Sequence, residues 1–261
     1  MPSSPEIPDV GTAAADARYC AEAARRQDGD RYLIALFQPP RLRRAATALA
    51  AWNIELANAE AKSTETTLGL IRLQWHREAL AEIAEGRPRR HPVVAELAHA
   101  HRTGVLDLDA LGRIVDARER DLDPSPPETV AELEAYARAT AGALHRALWQ
   151  GTPAADAAED AATAFALIGL LRAEPANRAR GRPWAPRALG GEAAPVLDRA
   201  SALARVRAPR GCRGAVAPAV LARGYVSRAR RAGDDPSAPT AAAPDPWRLW
   251  RLIAARSVGR I

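Results

Sequence analysis

The sequence predicts an all-α protein folded as a single helical bundle. Apolar residues make up 48% of the 261 positions, but aromatic residues only 5%. Alanine and leucine must therefore form the core, and these residues favour closely packed helices over a sheet. Apolar residues also recur at helical spacing, and no segment alternates as a half-buried strand would. The chain is long enough to bury one substantial core.

Ten helices are predicted, joined by short breaks, after a proline-rich lead of residues 1–11 that we expect to be disordered. They span residues 12–27, 40–61, 64–85, 92–103, 107–122, 129–149, 153–175, 191–206, 215–232 and 246–259. A main helical domain is predicted over residues 12–232. The segment "GDDPSAPTAAAPDP" is predicted to be a linker over residues 233–246, followed by a C-terminal amphipathic helix over residues 247–261.

Local signals predict where several of these helices begin and end. Pro92 suits the first turn of a helix that stops before Gly104, since proline lacks only an N–H that is unpaired there. Asp107 is placed to cap the next helix. Thr129 with Glu132 forms a capping-box pattern, which predicts a helix start at residue 129.

Composition also limits the environment and the partners. Only one of the 37 basic residues is a lysine, Lys62, which suggests a GC-rich bacterial genome and warns against treating every arginine as functional. Cys20 and Cys212 match no metal or redox spacing, so a reduced, cytoplasmic setting is expected. The N-terminus does not resemble a secretory signal, and no run of about 18 apolar residues is present to span a membrane.

The net charge of +6 would suit an anionic partner, although charge bears on association and not on fold. Residues 205–231 contain eight arginines and no acid. With no nucleic-acid-binding module and few aromatic residues to stack on bases, no nucleic-acid partner is expected.

Two groups of acidic residues have the spacing of metal ligands. Asp156 and Asp160 lie four apart, which would place both carboxylates on one helix face. They also fall in the first turns of a helix, where acids are favoured without any ligand. Asp116 and Glu119 alternate with arginines, a pattern more typical of surface ion pairs.

Four stretches together resemble the squalene/phytoene synthase family. They are "DRYLIALFQPPRLRRAATALAAWNIELA" (30–57), "GLIRLQWHREAL" (69–80), "RDLDPSPPETVAELEAYARATAGAL" (120–144) and "GRPWAP" (181–186). Within the third stretch, Asp121, Tyr136 and Gly142 match the family pattern, whereas His76 replaces a tryptophan in the second. The similarity extends over roughly residues 17–260. It implies an isoprenoid-synthase-like helical fold.

Enzymes of this family join two prenyl diphosphates, and the resemblance implies Mg²⁺ held by two Asp-x-x-x-Asp motifs on facing helices. A diphosphate leaving group needs such a metal to stabilise its developing charge. Here the matching positions of the first motif are Ala57, Asn58 and Ala61, with Glu60 as the one acid. Those of the second are Ala166, Gly169, Arg172, Ala173 and Asn177. Alanine and asparagine cannot supply the required charge, so neither metal binding nor prenyl transfer is expected.

The resemblance is greatest to a branch of the family that includes an assembly factor for respiratory complex I and is thought to act without catalysis. Asn53, Glu55, Gln74, Arg118 and Arg172 match the pattern of that branch. With Tyr136, they are the candidate binding residues for a partner or a cavity ligand. Internal structural hydrogen bonding is an equally serious explanation for their presence.

The leading hypothesis is therefore a non-catalytic assembly or binding factor for a membrane-linked respiratory complex, without a cofactor. It would be cytoplasmic, in peripheral contact with the inner face of the membrane. One alternative is a prenyl transferase that recruits Asp116, Glu119, Asp156 and Asp160 to bind Mg²⁺. A second is a protein that binds an isoprenoid or another lipid in a central cavity without reacting with it.

Two structural expectations follow. The first is a cavity bordered by the helices of residues 40–61, 64–85 and 153–173, unless Trp52 or Phe165 fills the centre. The second concerns the C-terminal helix, where Trp247, Trp250 and Ile253 share one apolar sector. This helix is expected to contact a membrane or a partner, and docking onto its own bundle would explain the same stripe.

Overall fold

The computed structural model describes residues 10–61 and 66–258, with side chains described over 12–59 and 66–255. Every regular element in these ranges is a helix, as the sequence predicts. The α-helices are α1 (Val10–Gln27), α2 (Gly29–Leu36), α3 (Pro40–Ala61), α4 (Thr66–Ala84), α5 (Pro92–Arg102), α6 (Leu108–Ala117), α7 (Val130–Ala137), α8 (Ala143–Trp149), α9 (Ala155–Arg172), α10 (Glu174–Ala179), α11 (Ala194–Leu203), α12 (Ala217–Arg231), α13 (Pro239–Ala242) and α14 (Arg248–Val258).

The N-terminal half of the bundle is built on α3. This helix packs against α1, α2, α4 and α5, and small residues allow the close approach. Trp52 lies at its centre, 1% exposed, and its indole Nε1 donates a 3.3 Å hydrogen bond to Nδ1 of His76. His76 thus fills space at the position where the family has tryptophan.

The C-terminal half is built on α9, which packs against α8, α11 and α12. Ten of its 18 residues are buried, because the sequence around Phe165 is apolar on nearly every side and such a helix is stable only inside a fold. Helix α9 ends at Arg172, three residues before the predicted stop at Pro175, and Pro175 lies instead in the first turn of a further short helix, α10. The C-terminal turns of α9 face α3 across the cavity described below.

Several capping predictions are confirmed. Thr129 accepts a 3.2 Å hydrogen bond from the backbone N–H of Glu132, and Asp107 accepts one of 2.9 Å from that of Asp109. Gly104 adopts a left-handed backbone with φ of 71°, which glycine tolerates best.

The helix predicted over residues 129–149 contains a π-helical turn, Arg138–Gly142, between α7 and α8. At Gly142 the backbone comes so close to α9 that an added Cβ would lie 2.5 Å from Oγ1 of Thr163. Glycine is therefore required for this contact. Such turns commonly occur at functional sites, and this one lies beside the cavity described below.

The segment of residues 233–246, predicted to be a linker, packs against the bundle. Ala241 and Asp245 are buried. The backbone carbonyl of Ala242 accepts hydrogen bonds of 3.1 and 2.7 Å from the Arg172 guanidinium.

The predicted disordered lead falls on residues 1–9, outside the described residues, and on residues 10 and 11, which begin α1. Among the described helices, none is long and apolar enough to cross a membrane.

Candidate functional site

A cavity of about 770 Å³ lies between α3 and α9. Its other walls come from the junction of α1 and α2, the 3₁₀ turn after α6, the residues around the π-helical turn, the loop after α10 and the segment that precedes α14. Phe165 lines the cavity without filling it, and Trp52 is buried elsewhere in α3. The expectation that the helix of residues 64–85 forms a wall is wrong, since no residue of α4 is part of the lining.

Most of the positions that match the family's metal-binding motifs face this cavity. Those whose side chains the structure describes all belong to its lining, and they are Ala57, Asn58, Ala166, Gly169, Arg172, Ala173 and Asn177. Glu60 and Ala61 lie at the end of α3, and their side chains are outside the described part of the chain. The resemblance thus assigned these positions to the correct surface.

The described residues of the cavity do not fit a Mg²⁺ cluster. Three carboxylates line it, those of Asp28, Asp30 and Asp121, and each has an arginine partner within the protein. No group of three or more acidic, histidine or cysteine side chains could hold a metal anywhere in the described ranges. A diphosphate–metal complex needs free carboxylates on both walls, and the described lining does not provide them.

The lining is instead rich in arginine. Seven arginines face the cavity against the three aspartates, namely Arg25, Arg31, Arg118, Arg172, Arg180, Arg182 and Arg248. Guanidinium groups recognise phosphate and carboxylate directly through paired hydrogen bonds. Arg31, Arg118 and Arg248 are paired with the three aspartates, but the described lining keeps a net positive charge, which favours an anionic group without a metal.

Three of the six candidate binding residues form one hydrogen-bonded network in the cavity wall. The Arg118 Nη2 donates a 2.6 Å hydrogen bond to Oδ1 of Asn53, and Nη1 donates one of 3.0 Å to the Tyr136 hydroxyl. Nη1 also lies 3.1 Å from Oδ2 of Asp121, and the Tyr136 hydroxyl donates a hydrogen bond to the other Asp121 oxygen. This network joins α3 to the 3₁₀ turn Arg118–Leu122 and to α7.

Arg118 is the charged centre of this network and is 7% exposed. Burial opposes its charge, but Tyr136 and the Asp121 carboxylate outweigh that effect and raise the pKa of the guanidinium. Burial also raises the pKa of the Tyr136 hydroxyl, which keeps it protonated as a donor to Asp121. The Nε of Arg118 is buried and has no hydrogen-bond partner, a state that costs free energy in a protein interior.

The "GRPWAP" loop closes over this network. The Trp184 ring stacks on the Tyr136 ring with centroids 4.2 Å apart. Arg182 donates a 2.6 Å hydrogen bond to the backbone carbonyl of Asp121. Glu174 fixes the loop by accepting a 2.7 Å hydrogen bond from the Trp184 backbone N–H. Two of the sequence stretches that carry the family resemblance therefore meet at one wall of the cavity.

Arg172, the fourth candidate, lies on the opposite wall. Besides its bonds to Ala242, its guanidinium stacks over the Tyr225 ring at 3.6 Å from the centroid and lies 3.8 Å from Asp30. The Tyr225 hydroxyl donates a 2.5 Å hydrogen bond to Asp30; burial, together with that bond, raises the pKa of Tyr225 to about 12. Arg172 thus fixes the segment that precedes α14 while facing the cavity.

Glu55 and Gln74, predicted to bind a cavity ligand or a partner, do not line the cavity. The Glu55 carboxylate lies 3.7 Å from Nε2 of His91, towards α5. Gln74 is exposed on α4 and donates a 3.2 Å hydrogen bond to Glu78. Asn53 and Ala57 are one helical turn apart and face the cavity, so Glu55 falls on another side of α3.

The acids that the alternative enzyme would recruit are also elsewhere. Asp116 and Glu119 both bind Arg77 on the surface, at 2.8 and 2.5 Å. Asp156 pairs with Arg146, and Asp160 lies 2.8 Å from Arg138. None of the four lines the cavity, so their placement does not support replacement of the lost ligands.

A smaller apolar pocket adjoins the cavity. The two share Arg31, Ala141 and Phe165 in their walls. The remaining lining is almost wholly aliphatic and includes Leu49 and Leu144. This pocket encloses only about 40 Å³, so it does not by itself offer room for a prenyl chain.

Sequence reasoning missed the residues that join the C-terminal segment to the cavity. The Asp30 carboxylate forms an ion pair with Arg248 at 3.3 Å, and the Asp245 carboxylate forms one with Arg251 at 2.8 Å. The two residues of the first pair lie more than 200 positions apart in the sequence, and those of the second pair lie six positions apart. The first left no local signal, whereas the second could have been found from an acid and an arginine less than two turns apart.

Comparisons with known proteins agree with this architecture. The family model described as "Squalene/phytoene synthase" matches residues 24–189. A Rattus norvegicus protein named "NADH dehydrogenase (ubiquinone) complex I, assembly factor 6" is 33% identical over 189 residues, which cover 70% of this chain and 55% of the rat protein. The chain spans about half the length of the curated relatives it matches.

Solved structures show the same fold. A dehydrosqualene synthase crystallised with a ligand has a TM-score of 0.75 at 17% identity, covering 95% of this chain and 98% of that one. A squalene synthase from Alicyclobacillus acidocaldarius has a TM-score of 0.68 at 18% identity, covering 86% and 98%. With the motifs, the cavity and the matched residues taken together, the chain belongs to the squalene/phytoene synthase family.

Proposed function

We propose that this protein works without catalysis, as an assembly factor for a membrane-linked respiratory complex of the complex I type. The observation that carries the proposal is a cavity that persists while its metal-ligand positions hold alanine, glycine and asparagine. Ala57 and Ala173 stand on the two facing walls. The rat, mouse and cattle relatives named for complex I assembly, at 33–34% identity, support the same conclusion.

Within this proposal no cofactor is required, and Asn53, Arg118, Tyr136 and Arg172 keep the cavity walls in place. A fixed wall presents a constant surface to a partner or a ligand, which is what a binding protein needs. Glu55 and Gln74 have no part in this role. The proposed partners are subunits or intermediates of the respiratory complex, and nucleic acid is not among them.

The proposed location is the cytoplasm of a bacterium, in peripheral contact with the inner face of its membrane. The arginine bias of the sequence and its two unpaired cysteines support this setting. A respiratory complex that matures in the membrane would be reached from that side.

The test is deletion of the gene in its host, with NADH–quinone reductase activity and isoprenoid content measured in the same cells. We expect the reductase activity and the amount of assembled complex to fall while isoprenoid content stays at the wild-type level. Restoration by the wild-type gene would tie the loss to this chain. Normal reductase activity with altered carotenoid or hopanoid content would contradict the proposal.

A second candidate function, binding of an isoprenoid or another anionic amphiphile, is favoured by the arginine-rich cavity of about 770 Å³. Farnesyl monophosphate, titrated calorimetrically in the presence of EDTA, tests it. Saturable binding that needs no metal supports the candidate, because arginine alone can hold a phosphate. Heat no greater than that of farnesol, which lacks the phosphate, would contradict it.

A further inference from the structure

Helix α14 presents an apolar face to solvent. Trp247, directly before the helix, and Trp250 are each 63% exposed, and Leu249 and Ile253 are 43% and 38% exposed. Four of the nine large hydrophobic residues that are exposed in the described ranges thus lie within seven positions. Isolated exposed apolar residues are ordinary, whereas a contiguous group marks an interaction surface.

This face is not required to hold the helix in place. The opposite side of α14 docks onto the bundle through Leu252, which is fully buried, and through the two ion pairs of Arg248 and Arg251. The segment before α14 approaches α12 closely at Gly224, where an added Cβ would lie 2.9 Å from the Asp245 carboxylate. The exposed tryptophans therefore remain available after docking.

The two helices at this face carry arginines and no acid of their own, and Arg248 and Arg251 pair with Asp30 and Asp245 from other segments. Helix α12, against which α14 packs, alone carries four arginines. The neighbouring Asp245 is 3% exposed and is paired with Arg251. Tryptophan on an apolar face, bordered by arginine and free of acids, has the chemistry that inserts into the interface of an anionic bilayer.

The position of α14 adds a second observation. Arg248 lines the cavity, and Ala242 and Pro244 of the preceding segment lie in its wall. The element that carries the exposed tryptophans thus also borders the cavity. A protein lying on a membrane through this face would hold the cavity close to the lipid.

We propose that the face of Trp247, Leu249, Trp250 and Ile253, here called the tryptophan face, binds an anionic lipid surface. The proposal specifies the membrane contact that the proposed function includes only in general terms. It rests on that function for its biological setting alone, since lipid binding is measured with purified protein. Failure of vesicle binding would leave the deletion experiment unaffected.

The experiment is flotation of the purified full chain with vesicles of phosphatidylcholine alone or with about 30% phosphatidylglycerol. We expect binding to the anionic vesicles, weakened by salt, and loss of affinity by about tenfold or more in W247A/W250A. A matched control is Y19A/I71A, which removes two exposed apolar side chains from α1 and α4 and should bind like the wild type. Thermal unfolding should be the same in all three proteins.

Quenching of tryptophan fluorescence by brominated lipid reports whether the rings enter the bilayer. It would not be seen if Trp247 and Trp250 only stabilised the fold. Quenching in the wild type that disappears in W247F/W250F supports insertion of these rings. Absence of vesicle binding at low salt, or equal binding by W247A/W250A, would overturn the proposal. So would a wild-type dimer that W247A/W250A converts to a monomer, which would assign the face to a second copy of the chain.

Discussion

Arg118 and Asn53, 65 positions apart, are joined by a 2.6 Å hydrogen bond inside the cavity wall. The arginine is buried and balanced by Asp121. Removal of one member of such a group leaves a buried charge without compensation, which costs far more than the pair contributes. The bond therefore makes the shape of the wall depend on a few polar residues.

Arg118→Ala is expected to lower the free energy of unfolding by about 3–5 kcal/mol, since Asp121 would remain buried without its cation. Asn53→Ala should cost less, about 1.5–3 kcal/mol, because it removes one hydrogen bond to a charged group. Urea unfolding measures both, with Arg113→Ala on the exposed surface of α6 as the control. An Arg118→Ala protein as stable as that control would show that the network is not structural.

Gly169→Leu is expected to occupy the cavity without destabilising the protein. A Cβ at Gly169 would meet no atom within 4 Å, and replacement of a helical glycine relieves about 0.5–1 kcal/mol of backbone entropy cost. Binding of farnesyl monophosphate should be lost while Tm stays equal or rises. Gly112→Leu, also in open space but on α6, is the matched control and should bind normally. Unchanged binding by Gly169→Leu would place the ligand elsewhere.

Acid should destabilise the protein through two buried histidines. Burial lowers the pKa of both His76 and His145 to about 4, against about 6.5 in the unfolded chain. Between these values the unfolded state binds protons that the folded state does not, so stability falls as the pH falls from about 6.5 towards 4. The steepest loss is about 2.7 kcal/mol per pH unit for two such groups.

His76→Phe should weaken this dependence on pH between pH 7 and pH 5, leaving the contributions of His145 and of His91 and His99, whose pKa values burial also lowers. Its stability at pH 7.5 should be lower than that of the wild type, because the Trp52 indole loses its acceptor. Urea titrations at several pH values give both quantities. A slope identical to that of the wild type would show that His76 does not remain neutral in the folded state.

Leu252→Ala should loosen the C-terminal segment. The leucine is fully buried against the bundle, and comparable truncations cost about 2–5 kcal/mol. Amide hydrogen exchange over residues 239–255 should accelerate, whereas Trp250→Ala, on the exposed face, should leave exchange unchanged. If both variants exchange alike, the docked and exposed faces of α14 have been assigned wrongly.

The fold was predictable because its signals are local. Helix periodicity, the cap at Thr129 and the stop at Gly104 depend on neighbours along the chain. Helix α2 was not predicted from the sequence, although Asp28 caps it. Its eight residues give too few turns for a clear helical period of apolar residues.

The site was predictable only as far as the family resemblance placed it. Asn53, Arg118, Tyr136 and Arg172 meet at the cavity, whereas Glu55 and Gln74 match the same pattern and lie outside it. No sequence pattern shows which way a side chain points once helices pack. The segment of residues 233–246 has the composition of a linker, but it is held by Arg172, about 70 positions earlier in the chain.

The amphipathic pattern of α14 was recognised, but its orientation was not. Trp247, Trp250 and Ile253 share the sector that faces solvent, while Leu252, outside that sector, makes the buried contact. On a short helix, one leucine and two ion pairs determine docking more strongly than the larger apolar stripe does. Which side of α14 docks therefore depends on the surface of α12 against which it packs.

The most direct test of the central claim is pyrophosphate release from farnesyl diphosphate by the purified protein, measured with Mg²⁺ or Mn²⁺ against a boiled control. The account predicts no release above the control, because Ala57, Asn58, Ala173 and Asn177 supply no carboxylate to the cavity and a diphosphate leaving group requires metal to balance its charge. A catalytically active member of the same family should release pyrophosphate under identical conditions. Metal-dependent release by the wild-type chain would contradict the account.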